Sequence, residues 1–232
     1  MEHHGWNVID AEAGVLWREY RFSGKALATT LVFRGTDGSL VVVSPGTGLS
    51  AADYDALREF GEVRALVANN TFHHLGQQPW RQHFKDAQSY APPRAVAALD
   101  KKVQGVQFRS LTELPLPAHV RWEDPPGFKT GEVLLSVDTK RGPVWYTGDL
   151  LANIQKMPGA LFPFLFKLAD SAPGFKLFKP CVWFFVNDKQ AIRQWMLSQL
   201  DQHPPGIVVP AHGPIIDASD VAEQARAQIR KL

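Results

Sequence analysis

Three short apolar runs in this chain each end in a polar loop, and that recurrence limits the fold more than any other feature. Residues 63–68 lead into Asn69-Asn70-Thr71-Phe72-His73-His74-Leu75-Gly76. Residues 144–147 lead into Gly148-Asp149, and 207–209 into Pro210-Ala211-His212-Gly213-Pro214. Valine-rich runs of this length, bounded by Gly, Pro and Asn, read as buried strands. Helix signals separate them. Ser50 with Asp53 three residues on is a helix start, with Tyr54, Leu57 and Phe60 on one face. Asn187 with Gln190 reads as a second cap, ahead of Ile192, Trp195, Met196 and Leu200. Pro204-Pro205-Gly206 stops that helix, and a last one is expected over 219–230. Earlier, 29–34 and 40–43 flank Gly35-Thr36-Asp37-Gly38, a hairpin signal. Residues 132–137 and 144–147 form a second expected pair around Lys140-Arg141-Gly142. Hairpins followed by strand–helix alternation, twice over, predict an α/β chain with two sheets between helices. With no repeat or linker in view, one domain over 1–232 is expected.

Composition removes several function classes. Lys and Arg number 25 against 23 Asp and Glu, a net charge of +2. That balance argues against a dedicated nucleic-acid binder, which concentrates positive charge on a face. A single cysteine, Cys181, excludes an intrachain disulfide framework and a Cys-rich metal site. Beside Pro180 and Trp183, it reads as a buried small residue rather than a nucleophile. The thiol count and the lack of an opening leader pattern point to a cytoplasmic location. No apolar stretch is long enough for a membrane span. No phosphate-binding glycine loop and no nucleophile-elbow sequence is present.

The three strand-end loops hold His73, His74, Asp149 and His212. Strand ends are where α/β chains gather their sites. Imidazole and carboxylate together suit Zn²⁺ or iron. Taken one at a time, a His before a Gly is more often a turn residue or a hydrogen-bonded half-buried side chain, and spacing alone does not choose.

The order of these segments resembles the successive motifs of the metallo-β-lactamase superfamily. The hairpin before Ser44-Pro45-Gly46 looks like that family's opening strands, which end in Asp-Pro-Gly. Pro126-Gly127-Phe128-Lys129-Thr130-Gly131 resembles its Pro-Gly-His-Thr-x-Gly segment. Order and rough spacing hold from about Leu27 to Ile216. The resemblance implies a four-layer αββα sandwich with a metal site at one edge between the sheets.

The departures matter as much. The family's first motif reads His-x-His-x-Asp-His. Aligned on His74-Leu75-Gly76, this chain carries Asn69, Thr71, His73 and His74 at those positions. Asn69, Thr71 and Phe128 replace the three imidazoles of the first metal, so the resemblance implies that this site is lost. The second site's positions hold His73, His74, Asp149 and His212, all able to ligate, His73 by substitution. A mononuclear subgroup of the β-lactamases carries Asn at the first position, as Asn69 does here. That subgroup keeps the second His, which Thr71 replaces, and a hydroxyl is a poor base near neutral pH. Asp149 could act as base only where it is not a ligand. A closer likeness is a divergent branch whose first motif reads Asn-x-x-His-His-Leu, followed by a Trp and an Ala-Pro segment. Here Trp80 and Tyr90-Ala91-Pro92-Pro93 fit.

The expected activity is therefore hydrolysis of a small ester, amide or phosphoester by a water on one metal ion, zinc or iron. Asn69 and Thr71 would bind the substrate or its oxyanion. An alternative from another class stays open: a pseudoenzyme, metal-free or structurally metallated, that binds a ligand or partner. A hydrogen bond directly between Asp149 and His212 would favour it. Residues 157–186 bear on both readings. They hold Phe162, Phe164, Phe166, Phe175, Phe178, Trp183, Phe184 and Phe185, with Lys156, Lys167, Lys176 and Lys179 alongside. This insertion reads either as a wall for an apolar or anionic substrate or as a helical hairpin packed on the core or in a homodimer contact. A membrane-surface role would need a continuous amphipathic helix, which the prolines oppose.

Overall fold

The Gly35–Gly38 turn folds the chain back as expected, joining β4 (Ala26–Arg34) to β5 (Leu40–Val43) in antiparallel register. The computed structural model describes residues 2–24, 26–156 and 161–232. It divides into two units, Met1–Arg121 and Trp122–Leu232.

The first unit holds an eight-stranded sheet whose order follows the sequence. Strands β1 (Glu2–His3), β2 (Trp6–Asp10) and β3 (Val15–Ser23) lead into β4 and β5 with antiparallel pairing throughout. From β5 onward the pairing is parallel, through β6 (Val63–Val67), β7 (Gln88–Ala91) and β8 (Phe108–Ser110). The change has a local cause. Tight turns join the first strands, whereas α1 (Ala51–Asp55), α2 (Gln77–His83) and α3 (Pro93–Lys102) lie between the later ones, and a parallel pair needs such a crossover. The C-terminal ends of β5, β6 and β7 therefore share one edge of the sheet. Ser50 caps α1 in a reciprocal pair with Asp53, as its spacing predicts. The helix is only five residues long and tightens into a 3₁₀ turn over Ala56–Glu59. Trp6, Leu16, Val32, Leu57 and Trp80 are fully buried together under this half of the sheet. The Tyr54 and Trp80 rings meet edge-on at 5.1 Å.

The second unit builds a four-stranded sheet in the order β14-β11-β10-β9, and the unit boundary falls within β9 (Val120–Glu123). Strands β10 (Leu134–Thr139) and β11 (Gly142–Tyr146) form the expected hairpin. Strand β14 (Ile207–Val209) runs parallel to β11. Glu132 and Val133 precede β10 instead of opening it. A separate ribbon pairs β12 (Leu151–Ile154) with β13 (Gly174–Leu177). The aromatic segment, read from sequence as a substrate wall or a helical hairpin, holds α4 (Leu161–Leu168), then β13, then α5 (Lys179–Phe185), so a strand separates the two helices. Its first residues, 157–160, lie outside the described residues. Helices α6 (Lys189–Gln202) and α7 (Val221–Ile229) follow. The cap of α6 is Asp188, whose carboxylate accepts from the Ala191 N–H, one residue beyond the Asn187 expected. Asn187 instead gives its N–H to the Gly127 carbonyl at 2.8 Å. Ile192, Met196 and Leu200 are buried, as their spacing predicts. Among the described residues no helix is long and apolar enough to cross a membrane.

Candidate metal and hydrolytic site

In the first unit the candidate residues sit on the loop that leaves β6. Asn69, Asn70, Thr71 and His73 are buried, and His74 is half-buried. Asn70 shapes the loop. Its Oδ1 accepts from the N–H groups of Phe72 (2.8 Å) and His73 (3.2 Å), a side-chain turn that Asn makes readily. Lys102, in the last turn of α3, donates to the Thr71 carbonyl at 2.9 Å and lies 4.9 Å from the centre of the Phe72 ring. Gly76 closes the loop where no side chain would fit, because a Cβ there would strike the Pro45 carbonyl oxygen. Trp80, one turn on, donates its indole N–H to the Gly46 carbonyl at 2.8 Å.

The neighbouring corner contributes Ser44, which sequence reasoning took only as the point where the opening hairpin ends. Ser44 follows β5 with φ at +53°, and its Oγ stands 2.6 Å from His73 Nδ1. The same hydroxyl lies 3.1 Å from the buried Tyr20 OH, while Thr30 Oγ1 donates to the Ser44 carbonyl at 2.8 Å. Engaging one ring nitrogen fixes the orientation of the ring. Burial holds the His74 pKa below its ordinary value, and the Lys102 ammonium adds to that effect. His74 is thus neutral near pH 7, the form that ligates.

In the second unit, two adjacent parallel strands deliver the donors. Tyr146 and Val209 are in register, and Asp149 and His212 each come three residues later. The two loops are laced together. Thr147 donates its N–H to the Val209 carbonyl (3.3 Å), and Ala211 donates to Gly148 (3.1 Å). As a result Asp149 Oδ1 and His212 Nε2 stand 3.2 Å apart. Two donors each about 2.1 Å from a tetrahedral ion stand about 3.4 Å apart, so the pair fits the ligation of one metal. A direct hydrogen bond has the same span.

Both donors are held by their own backbone. Asn153, in β12, donates its N–H to the His212 carbonyl and its Nδ2 to the Pro214 carbonyl, both at 2.8 Å. Gly213, at φ +93°, lies so close that a Cβ would fall on the Asn153 carbonyl oxygen. Glu132, 3% exposed, accepts from the N–H groups of Val133 (3.0 Å) and Asp149 (3.3 Å). Sequence reasoning placed Glu132 at a strand start; the signal it held was a carboxylate next to Gly131 at the mouth of an apolar run. Burial, with Asp149 and Glu132 nearby, pushes the Cys181 thiol well up, so it stays protonated and unreactive, as its apolar surroundings suggested. Phe128 is buried in the hydrophobic core of this unit and offers no donor.

Comparison with other proteins returns a likeness of structure. Neither a family model nor a curated sequence relative matches the chain. TMB-1 superposes at a TM-score of 0.64 with 15% identity, over 98% of this chain and 98% of that one. FIM-1, a metallo-β-lactamase from Pseudomonas aeruginosa in a mono-zinc form, gives 0.62 with 12% identity over 97% and 94%. The metallo-β-lactamase from Pontibacter korlensis gives 0.59 with 13% identity over 94% of each chain. At these identities the likeness is one of fold.

Proposed function

Because the chain has the metallo-β-lactamase fold, we propose that it is a metal-dependent hydrolase of a small ester, amide or phosphoester. The observation that carries this reading is the Asp149–His212 pair, held at ligand spacing by its own loops. We assign one ion, zinc or iron, to His73, His74, Asp149 and His212, with the two units acting as one domain. When bound, the ion would supply Lewis acidity and lower the pKa of a water toward neutrality. The chain's own residues do the rest. Ser44 orients His73 through Nδ1. Asn69 and Thr71, where the family carries imidazoles, bind the substrate or its oxyanion. The occurrence of a mono-zinc form in FIM-1 supports a single ion on this fold.

A second reading draws on the same pair. The 3.2 Å separation also suits a direct hydrogen bond between Asp149 and His212, and Phe128 places a phenyl ring where the family has a ligand. In that case the chain is a pseudoenzyme that binds a ligand or partner. Assays of zinc-loaded protein on chromogenic esters, amides and phosphoesters separate the two. The hydrolase reading expects turnover of at least one class, reduced at least about hundredfold in Asp149→Asn. Turnover that survives unchanged in Asp149→Asn would refute the assignment. So would no turnover of any class by protein shown to hold zinc.

A further inference from the structure

The segment between β12 and α6 turns large apolar side chains outward. Phe164 is 62% exposed, Leu168 75%, Trp183 55% and Phe184 65%. Side chains of this size are ordinarily buried, and four of them in the open within one segment mark a surface that meets something. The exposure is built into the fold. Ser171 ties the end of α4 to the start of α5: its N–H donates to the Phe166 carbonyl (2.8 Å), its Oγ donates to Leu177 (3.1 Å) and accepts from the Lys179 N–H (3.0 Å). The Phe166 and Phe178 rings lie 5.9 Å apart across the same join.

Charge accompanies the apolar groups. Residues 155–186 contain four lysines and one carboxylate, Asp170. That carboxylate is engaged by Lys176 at 2.6 Å and Lys231 at 2.8 Å. Lys156 and Lys167 are exposed. Lys129, also exposed, places its ammonium 3.0 Å from the Phe184 carbonyl.

We propose that this face docks on an anionic lipid bilayer. Phe164, Leu168, Trp183 and Phe184 would enter the interfacial layer, with Lys129, Lys156 and Lys167 among the headgroups. A bilayer offers both things the surface asks for, an apolar layer beside a sheet of negative charge, and the interface is where Trp is favoured. A second copy of the chain fits less well. A two-fold contact would set the same lysines against one another. Helices of eight and seven residues reach into the interface without spanning it. A continuous amphipathic helix is not needed, because each of the two short helices exposes apolar side chains of its own, Phe164 and Leu168 on α4 and Trp183 and Phe184 on α5. The proposal stands independently of any catalytic role.

Vesicle co-sedimentation tests it, using phosphatidylcholine vesicles with and without about one-third phosphatidylserine. Wild type, Trp183→Ser/Phe184→Ser and Lys156→Glu/Lys167→Glu are compared, each with its thermal midpoint. All four positions are exposed, so the midpoints should stay near wild type. Wild type should bind the phosphatidylserine vesicles and be released by high salt. The apolar double variant should partition at least about tenfold more weakly, and each lysine reversal should cost at least about fivefold. No binding by wild type would overturn the proposal, as would binding by either variant as tight as that of wild type. A wild-type dimer in ultracentrifugation that Trp183→Ser/Phe184→Ser makes monomeric, without vesicle binding, would assign the face to a second copy instead.

Discussion

The loop after β6 and the paired loops after β11 and β14 are anchored with equal care, but different residues do the anchoring. In the first unit the anchors are Asn70, Gly76, Trp80 and Lys102, none of them at a ligand position. In the second unit the anchors hold the donors directly, through the Asp149 N–H and the His212 carbonyl. The first loop is held chiefly through backbone groups of Thr71, Phe72 and His73, the second pair through the backbone of the two residues proposed as donors. The proposed single-ion reading asks for both: a first loop that keeps its shape around His73, and a second pair that keeps Asp149 and His212 together.

The strongest test of the comparison is steric. Gly213→Ala puts a Cβ onto the Asn153 carbonyl at a positive φ, and Gly76→Ala puts one onto the Pro45 carbonyl. Each should cost at least about 3 kcal/mol in urea unfolding. A loss under about 1 kcal/mol at Gly76 would break the claim that the first loop is anchored as firmly as the second pair. A smaller effect is expected at Ser44. Ser44→Ala removes the partner of His73 Nδ1 and should cost about 1–3 kcal/mol. Zinc affinity, measured by chelator competition, should fall roughly 10–100-fold. Ser44→Gly should be less costly in stability, because φ +53° suits glycine. Equal losses would show that the corner's backbone conformation adds nothing.

The smallest expected effect concerns protonation. His74 is held below 6.5 by burial and by Lys102. A depressed imidazole pKa means the folded chain prefers the neutral ring. That contribution to stability is present above about pH 6.5 and lost as the pH falls through the folded value. Lys102→Met should move the His74 midpoint upward in an NMR titration of metal-free protein, though burial keeps it from recovering fully. An unmoved midpoint would remove Lys102 from the causes of the shift.

Much of the frame was legible because it is local. The Gly35–Gly38 turn, the Ser50–Asp53 cap and the apolar run 63–67 carry their own signals. Strand β3 does not, since its Arg, Glu and Tyr interrupt the alternation and its burial comes from pairing with β2 and β4. Strand β13 was hidden in the same way: it lies inside the aromatic segment read as a substrate wall or a helical hairpin, and its strand character comes from pairing with β12, distant in sequence. The candidate donors were legible as residue types at strand ends. Their supports were not. Ser44 matters through a positive φ and a contact 29 residues away in sequence, and Glu132 through the turn of a loop 17 residues on.

The central claim is that this chain holds one metal ion at the donors it keeps. Elemental analysis of protein purified without chelator and without a His tag tests it most directly. The account predicts close to one equivalent of zinc or iron in wild type and in Thr71→Ala, and its loss in His212→Ala. Wild-type protein that holds no metal, even after incubation with Zn²⁺, would contradict it.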